Sequence, residues 1–204
     1  WGRGMQRWML VLALVCALPT SFFGQQLLDD FNRPDGAAVG GFWTEGGGSG
    51  GVILGNQLRM TAPTGANGRE WVMMADSSYY KTAGGLASNT CMLTWAFNLR
   101  FSRSDPSGFD AGNYGAAVIL GSTSADPTLG QGYAVVIGNS SNPDPVRLVR
   151  FNGGVDANAN LTNILTRAIT DAQYLGVRVT YIPSTNTWEM FVTNNAGPFS
   201  SPLT

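Results

Sequence analysis

The sequence predicts an all-β fold, a two-sheet antiparallel β-sandwich or jelly roll, on three observations. Twenty-seven glycines and ten prolines punctuate short runs of β-branched and aromatic residues, a pattern of frequent turns. Several of those runs alternate apolar with polar side chains, which sends one face of a strand into a core and the other into water. Beyond the N-terminal leader, apolar runs with helical period are almost absent, so a parallel sheet with crossover helices is not expected.

The leader comes first in the chain. From Met5 the pattern is a charged Arg7, an apolar run from Trp8 to Leu18, and a breaker at Pro19, Thr20 and Ser21, which together read as a signal peptide over residues 5–24. Cleavage is expected after Gly24, although Phe22 departs from the preference for small residues before the cut. Residues 1–4 read as upstream read-through. The apolar run is about half the ~20 residues of a membrane-spanning helix, and Gln25 and Gln26 follow it instead of a charge cluster. No stable membrane span is therefore expected after cleavage, and the mature protein is expected to be secreted or at the cell surface. Val15 before Cys16 speaks against lipidation. Cys91 is then the sole mature cysteine, so no intramolecular disulfide can form and stability must come from the core.

One domain is expected over residues 25–204. Its clearest strand is 92–101, where Leu93, Trp95, Phe97, Leu99 and Phe101 alternate with Thr94, Ala96, Asn98 and Arg100. Before it, strands are expected at 27–31, 51–54, 57–61 and 70–75, with a single helical turn near 76–82 capped by Ser77 and Ser78. After it come strands at 114–120, 133–137, 146–151 and 160–166, most neighbours separated by glycine, asparagine or proline. Leu175, Val177, Val179 and Tyr181 then alternate with polar residues or glycine, and the turn Pro183-Ser184-Thr185-Asn186 leads into Trp188, Met190 and Val192, which makes a hairpin. The chain stops soon after this hairpin, and the domain is expected to be C-terminally truncated, missing its last strand or strands.

Composition limits the chemistry. Charged residues are 12% of the chain and the net charge is −1, so there is no basic stripe for phosphates and nucleic acid is not an expected partner. Histidine is absent, which removes the commonest general base, the commonest zinc ligand and every Ser-His or Cys-His pair.

Four stretches carry a family resemblance. They are Asp29-Asp30-Phe31-Asn32-Arg33-Pro34-Asp35-Gly36 with Val39-Gly40-Gly41-Phe42-Trp43, Leu93-Thr94-Trp95-Ala96-Phe97-Asn98, Gly132-Tyr133-Ala134-Val135-Val136-Ile137-Gly138, and the hairpin from Val179-Thr180-Tyr181 to Trp188-Glu189-Met190-Phe191-Val192. Together they resemble the concanavalin A-like lectin/glucanase, or laminin G-like, domains of exported bacterial proteins. The resemblance implies a two-sheet jelly roll, often one module of a longer surface or secreted chain whose other domains are its neighbours. Glucanases of that kind carry Glu-x-Asp-x-x-Glu or Glu-x-Asp-x-Glu on one strand, because retaining hydrolysis needs two carboxyls about 5 Å apart. Neither pattern occurs, and Glu45, Glu70 and Glu189, the only glutamates, are far apart in sequence.

Candidate sites each carry a bland alternative. Asp105 and Asp110, beside Asn113 and Tyr114, could line a ligand site on a loop at a sandwich end, or make Asx-turns. Asp29, Asp30 and Asp35, with Asn32, supply hard oxygen ligands suited to calcium, and the resemblance adds a structural calcium near the chain ends; capping of turns and strands is the alternative. A sugar-binding face needs a flat aromatic for a pyranose and amide or guanidinium groups for its hydroxyls, for which Trp71, Tyr133, Arg147, Tyr114 and Asn113 qualify. Trp71 and Tyr133 could equally be core and Arg147 a solvated strand residue, while Trp95 and Trp188, in phase with aliphatics, belong to the core. A non-catalytic binding or adhesion module for glycan or cell-surface polysaccharide is the expectation; a polysaccharide hydrolase with an irregular active site and a structural spacer are its rivals.

Overall fold

The computed structural model describes residues 29–47, 51–60, 69–74, 85–100, 106–139, 144–168 and 174–195. The leader, the helical turn expected at 76–82 and Asp105 lie outside these. The chain divides into two compact units, Trp1–Asp30 and Phe31–Thr204, and every described strand belongs to the second.

Eleven strands are described: β1 (Thr44–Gly46), β2 (Gly51–Ile53), β3 (Leu58–Met60), β4 (Trp71–Met73), β5 (Leu93–Arg100), β6 (Ala116–Ser122), β7 (Gln131–Ile137), β8 (Val146–Asn152), β9 (Leu161–Arg167), β10 (Tyr174–Ile182) and β11 (Thr187–Asn195). Two 3-10 turns, Leu86–Ser88 and Asn158–Asn160, are the helical elements among the described residues. All pairings are antiparallel: β6-β7-β8-β9 form a four-stranded meander, β11-β10-β5 a three-stranded sheet, and β1-β4 and β2-β3 two short ribbons. Antiparallel neighbours joined by tight turns need no crossover helix. The all-β expectation therefore holds, with several antiparallel sheets.

The two larger sheets share one core. Val135, Ile137, Val146, Leu148 and Leu120 from the meander cluster with Leu175, Val177, Val179 and Met190 from the other sheet, and Trp95, Phe97, Leu99, Tyr133 and Trp188 pack against them. Period-two alternation explains the membership, since each of these side chains is in phase with its strand neighbours on one face. Burial of such a side chain stabilises by about 1.5–3 kcal/mol, so this interface dominates the energetics. The opposite face of the meander is buried as well: Ala134, Val136, Val149, Phe151 and Val155 form a second cluster, with Phe109, Ile119 and Leu161 against it.

The structure departs from the sequence reading at the first strand. Within 27–31, Asp29 to Phe31 are not in a strand, and Phe31 takes a φ of 56°. A tight turn centred on Asn32 follows at once: the Arg33 N–H donates to the Phe31 carbonyl at 2.9 Å. The Phe31 ring then lies 5.4 Å from Trp43 and beneath the Arg33 guanidinium. Residues Thr44–Gly46, for which the sequence suggested no strand, form β1 against β4, and the remaining departures are small. The strand expected at 114–120 runs from Ala116 to Ser122, and that expected at 160–166 starts at Leu161 after the second 3-10 turn.

Candidate functional site

The residues singled out in the sequence fall into separate environments. Asp110, Asn113 and Tyr114 share a loop that folds over the second cluster. Both Asp110 oxygens accept from Asn158, Oδ1 from its backbone N–H at 2.9 Å and Oδ2 from its side chain at 2.8 Å. The Asn158 Oδ1 in turn accepts from the Phe109 N–H at 3.3 Å. The Asn113 side chain donates to the Ser107 carbonyl at 3.4 Å, and the Tyr114 carbonyl accepts from Gly108 at 3.1 Å. These polar groups clasp two loops together and hold Phe109 against the sheet.

Arg147 stands on the same face of β8 as Val149 and Phe151, and is not the solvated strand residue of the bland reading. It is 8% exposed. Its Nη2 donates to the Gly138 carbonyl at 2.6 Å and its Nη1 to Asn163 Oδ1 at 3.3 Å, while Nε is buried without a partner. Burial pulls its pKa below the ordinary guanidinium value and the nearby Asp144 carboxylate opposes the shift, as desolvation and an opposite charge should.

Tyr133 and Trp71 are packed aromatics. The Tyr133 ring lies 4.8 Å from Trp188, which meets Tyr181 at 4.4 Å and stacks with Trp95 at 6.1 Å. The Tyr181 hydroxyl donates to Asn186 Oδ1 at 3.0 Å, and burial, then the Tyr133 phenol, push its pKa up. Trp71 lies over Gly46 on the partner strand, where a Cβ would come within 2.5 Å of the indole.

The acidic candidates for a cation are placed as follows. Asp35 Oδ1 accepts the Gly55 N–H at 2.7 Å, which ties two turns together, while Asp29 and Asp30 belong to the first compact unit. Among the described residues no three His, Cys, Asp or Glu side chains gather as a metal site.

Register brings two distant glutamates near one another. Glu45 pairs with Val72 across β1 and β4, and Glu70 precedes Val72 by two residues, on the same face by alternation. Such diagonal positions lie about 7–8 Å apart. Glu45 Oε1 accepts the Val39 N–H at 2.7 Å, and Glu70 Oε2 is buried without a partner.

The outward face of the three-stranded sheet gathers a set that the sequence reading did not name. Because Leu175, Val177 and Val179 point into the core, Tyr174, Gly176, Arg178 and Thr180 point away from it. Register then places Arg100, Asn98, Ala96 and Thr94 on one side, and Thr193, Phe191 and Glu189 on the other. Phe191 is 49% exposed, with the Arg178 guanidinium 4.6 Å from its ring centroid. The Arg100 guanidinium sits 5.0 Å above Tyr174. Among the described residues neither arginine has an ion-pair partner. Between the two stacked pairs Gly176 contributes no side chain and is buried, as is Thr180, and beside it the buried Asn98 Oδ1 has no hydrogen-bond partner. The signal was present in the sequence: Phe191 breaks the alternation by putting an aromatic on the solvent phase of a strand whose other phase is Trp188, Met190 and Val192.

Comparison with known proteins gives no match to a protein family, to a characterised protein or to a solved structure.

Proposed function

We propose that this protein is a non-catalytic binding or adhesion module for glycan or cell-surface polysaccharide, exported as part of a longer chain, and that its ligand lies on the outward face of the three-stranded sheet. One observation carries the reading: that face offers two aromatic rings, Phe191 and Tyr174, each with an arginine over it. An apolar ring beside fixed polar donors matches a pyranose, whose faces carry C–H groups and whose rim carries hydroxyls. The facing antiparallel sheets suit the concanavalin A-like jelly roll that the sequence resembles, and the signal peptide at 5–24 supplies the export route.

The test is retention of the folded protein on a panel of immobilised polysaccharides. Wild type is expected to be retained by at least one polymer, and Phe191→Ala to lose that retention while keeping its fold. Retention unchanged in Phe191→Ala removes this face as the site.

Glu70 supports a second reading, a polysaccharide hydrolase, because a buried carboxyl oxygen without a partner lies near Glu45 on one ribbon. Reducing-sugar release that disappears in Glu70→Gln would establish it; absence of release from every polymer that the protein binds leaves the binding module.

A further inference from the structure

We infer that the polysaccharide bound on the outward face of the three-stranded sheet is acidic, its carboxylate or sulfate groups meeting Arg100 and Arg178; this rests on the reading that the face binds glycan.

Charge is the first ground. The chain carries a net charge of −1 and few charged residues, yet this face holds two arginines, neither in an ion pair among the described residues. Its one carboxylate, on the exposed Glu189, sits opposite Thr180 in the register. A neutral sugar laid across the face would strip water from two guanidinium groups and return no counter-charge, which is costly. An anionic sugar returns charge-assisted hydrogen bonds, the stronger kind, and a planar guanidinium can pair in two places at once with a carboxylate or sulfate oxygen pair.

Geometry is the second ground. Arg100 pairs with Tyr174, and Arg178 lies four residues further along β10, about 13 Å away at ~3.3 Å per residue. Arg100 reaches from β5 to the Tyr174 ring and Arg178 from β10 to the Phe191 ring on β11, so the two cations stand on a diagonal across the sheet, on either side of the side-chain-free Gly176. An extended polymer with a charge on repeating units can meet both. The ring beneath each guanidinium restricts its motion before binding, so less entropy is lost on pairing.

The experiment measures affinity of the full chain for four probes: polygalacturonate, the same polymer after reduction of its carboxyls to alcohols, dextran sulfate, and a single-stranded oligonucleotide. Each is titrated at low and at high salt. Polygalacturonate or dextran sulfate is expected to bind at least tenfold more tightly than the reduced polymer and to weaken as salt screens the charges. Arg100→Gln and Arg178→Gln are each expected to weaken the acidic polymer roughly tenfold, the scale of one charge-assisted hydrogen bond, and to weaken the reduced polymer by a clearly smaller factor. Circular dichroism checks that both variants fold. Equal binding of acidic and reduced polymers, lost together in Phe191→Ala, would leave the glycan face standing and overturn its acidic preference. Retention of no polymer at all would remove the glycan reading with it. Tighter binding of the oligonucleotide than of either acidic polysaccharide would overturn the inference in favour of nucleic acid.

Discussion

Met190 and Phe191 are neighbours on β11, and the structure sends them to opposite fates. Met190 is fully buried in the shared core, whereas Phe191 is 49% exposed under Arg178. Replacing Met190 by serine removes a core side chain, a change that costs about 2–5 kcal/mol for truncation to alanine, and buries a hydroxyl without a partner for roughly 1–3 kcal/mol more. That sum is on the scale of a whole stability margin of 5–15 kcal/mol, so Met190→Ser should be largely unfolded or strongly aggregated. Phe191→Ser gives up about half of the ~1.5–3 kcal/mol that full burial of a phenylalanine provides, plus about 0.5–1 kcal/mol of exposed cation–π attraction. About 2 kcal/mol lowers Tm by roughly 4–8 °C in a domain of this size. Thermal melts followed by circular dichroism separate the two cases, and the folded Phe191→Ser protein should at the same time lose polysaccharide retention. Equal destabilisation by the two substitutions would refute the assignment of faces on β11, and with it the site built on that assignment.

Three further outcomes follow from local geometry. Gly46→Ala puts a Cβ within 2.5 Å of the Trp71 ring, so it should destabilise by about 1–3 kcal/mol as overpacking does, and Trp71→Leu in the same chain should restore much of the loss in a melt. Asp110→Ala and Asn158→Ala each cut the clasp over Phe109, and a double-mutant cycle in denaturant should return a coupling of about 1 kcal/mol; additive effects would show that the two loops do not depend on one another. The Asp126 carboxyl is held below its ordinary pKa by hydrogen bonds from the Thr128 hydroxyl and N–H. Its contribution is therefore present above the unfolded carboxylate value near ~3.9 and lost as pH falls through the folded one. Thr128→Val should lower Tm at neutral pH, and its deficit should shrink on acidification below that range; a deficit that grows in acid would reverse the sign.

Where side-chain period alone decides structure, the sequence was sufficient: the 92–101 run and the 175–192 hairpin appear as β5, β10 and β11, in the expected phase. It was insufficient where a turn overrides propensity. Phe31 and the Leu27-Leu28 before the aspartates suggested a strand, yet Phe31 takes a left-handed backbone and the Arg33 N–H closes a tight turn onto its carbonyl. The site candidates divide along the same line. Asp110 and Asn113 were visible as a polar loop, but only the approach of Asn158, 48 residues on in sequence, shows how the Asp110 oxygens are used. Arg147 alternates like a solvent residue, and it is buried because a loop, not water, covers that face of β8. Arg178 and Phe191 become a pair through register across β10 and β11, which no local pattern records.

The two main sheets differ in what their outer faces leave to a partner. On the meander, Val136, Val149 and Phe151 are covered by Phe109, Val155 and Leu161, and the Asp110–Asn158 clasp holds that cover in place. Its polar groups are turned toward one another, so a ligand there would have to break existing hydrogen bonds before making its own. On the three-stranded sheet, Phe191 stays half-exposed, and Arg100 and Arg178 have rings beneath them but are in no ion pair among the described residues. A ligand arriving there displaces water from an apolar ring and brings charge to the arginines, and it breaks no protein ion pair. Binding energy is therefore available on this face at less internal cost than on the clasped one, which is why the functional reading rests on β5, β10 and β11 and not on the loop that the sequence first brought forward.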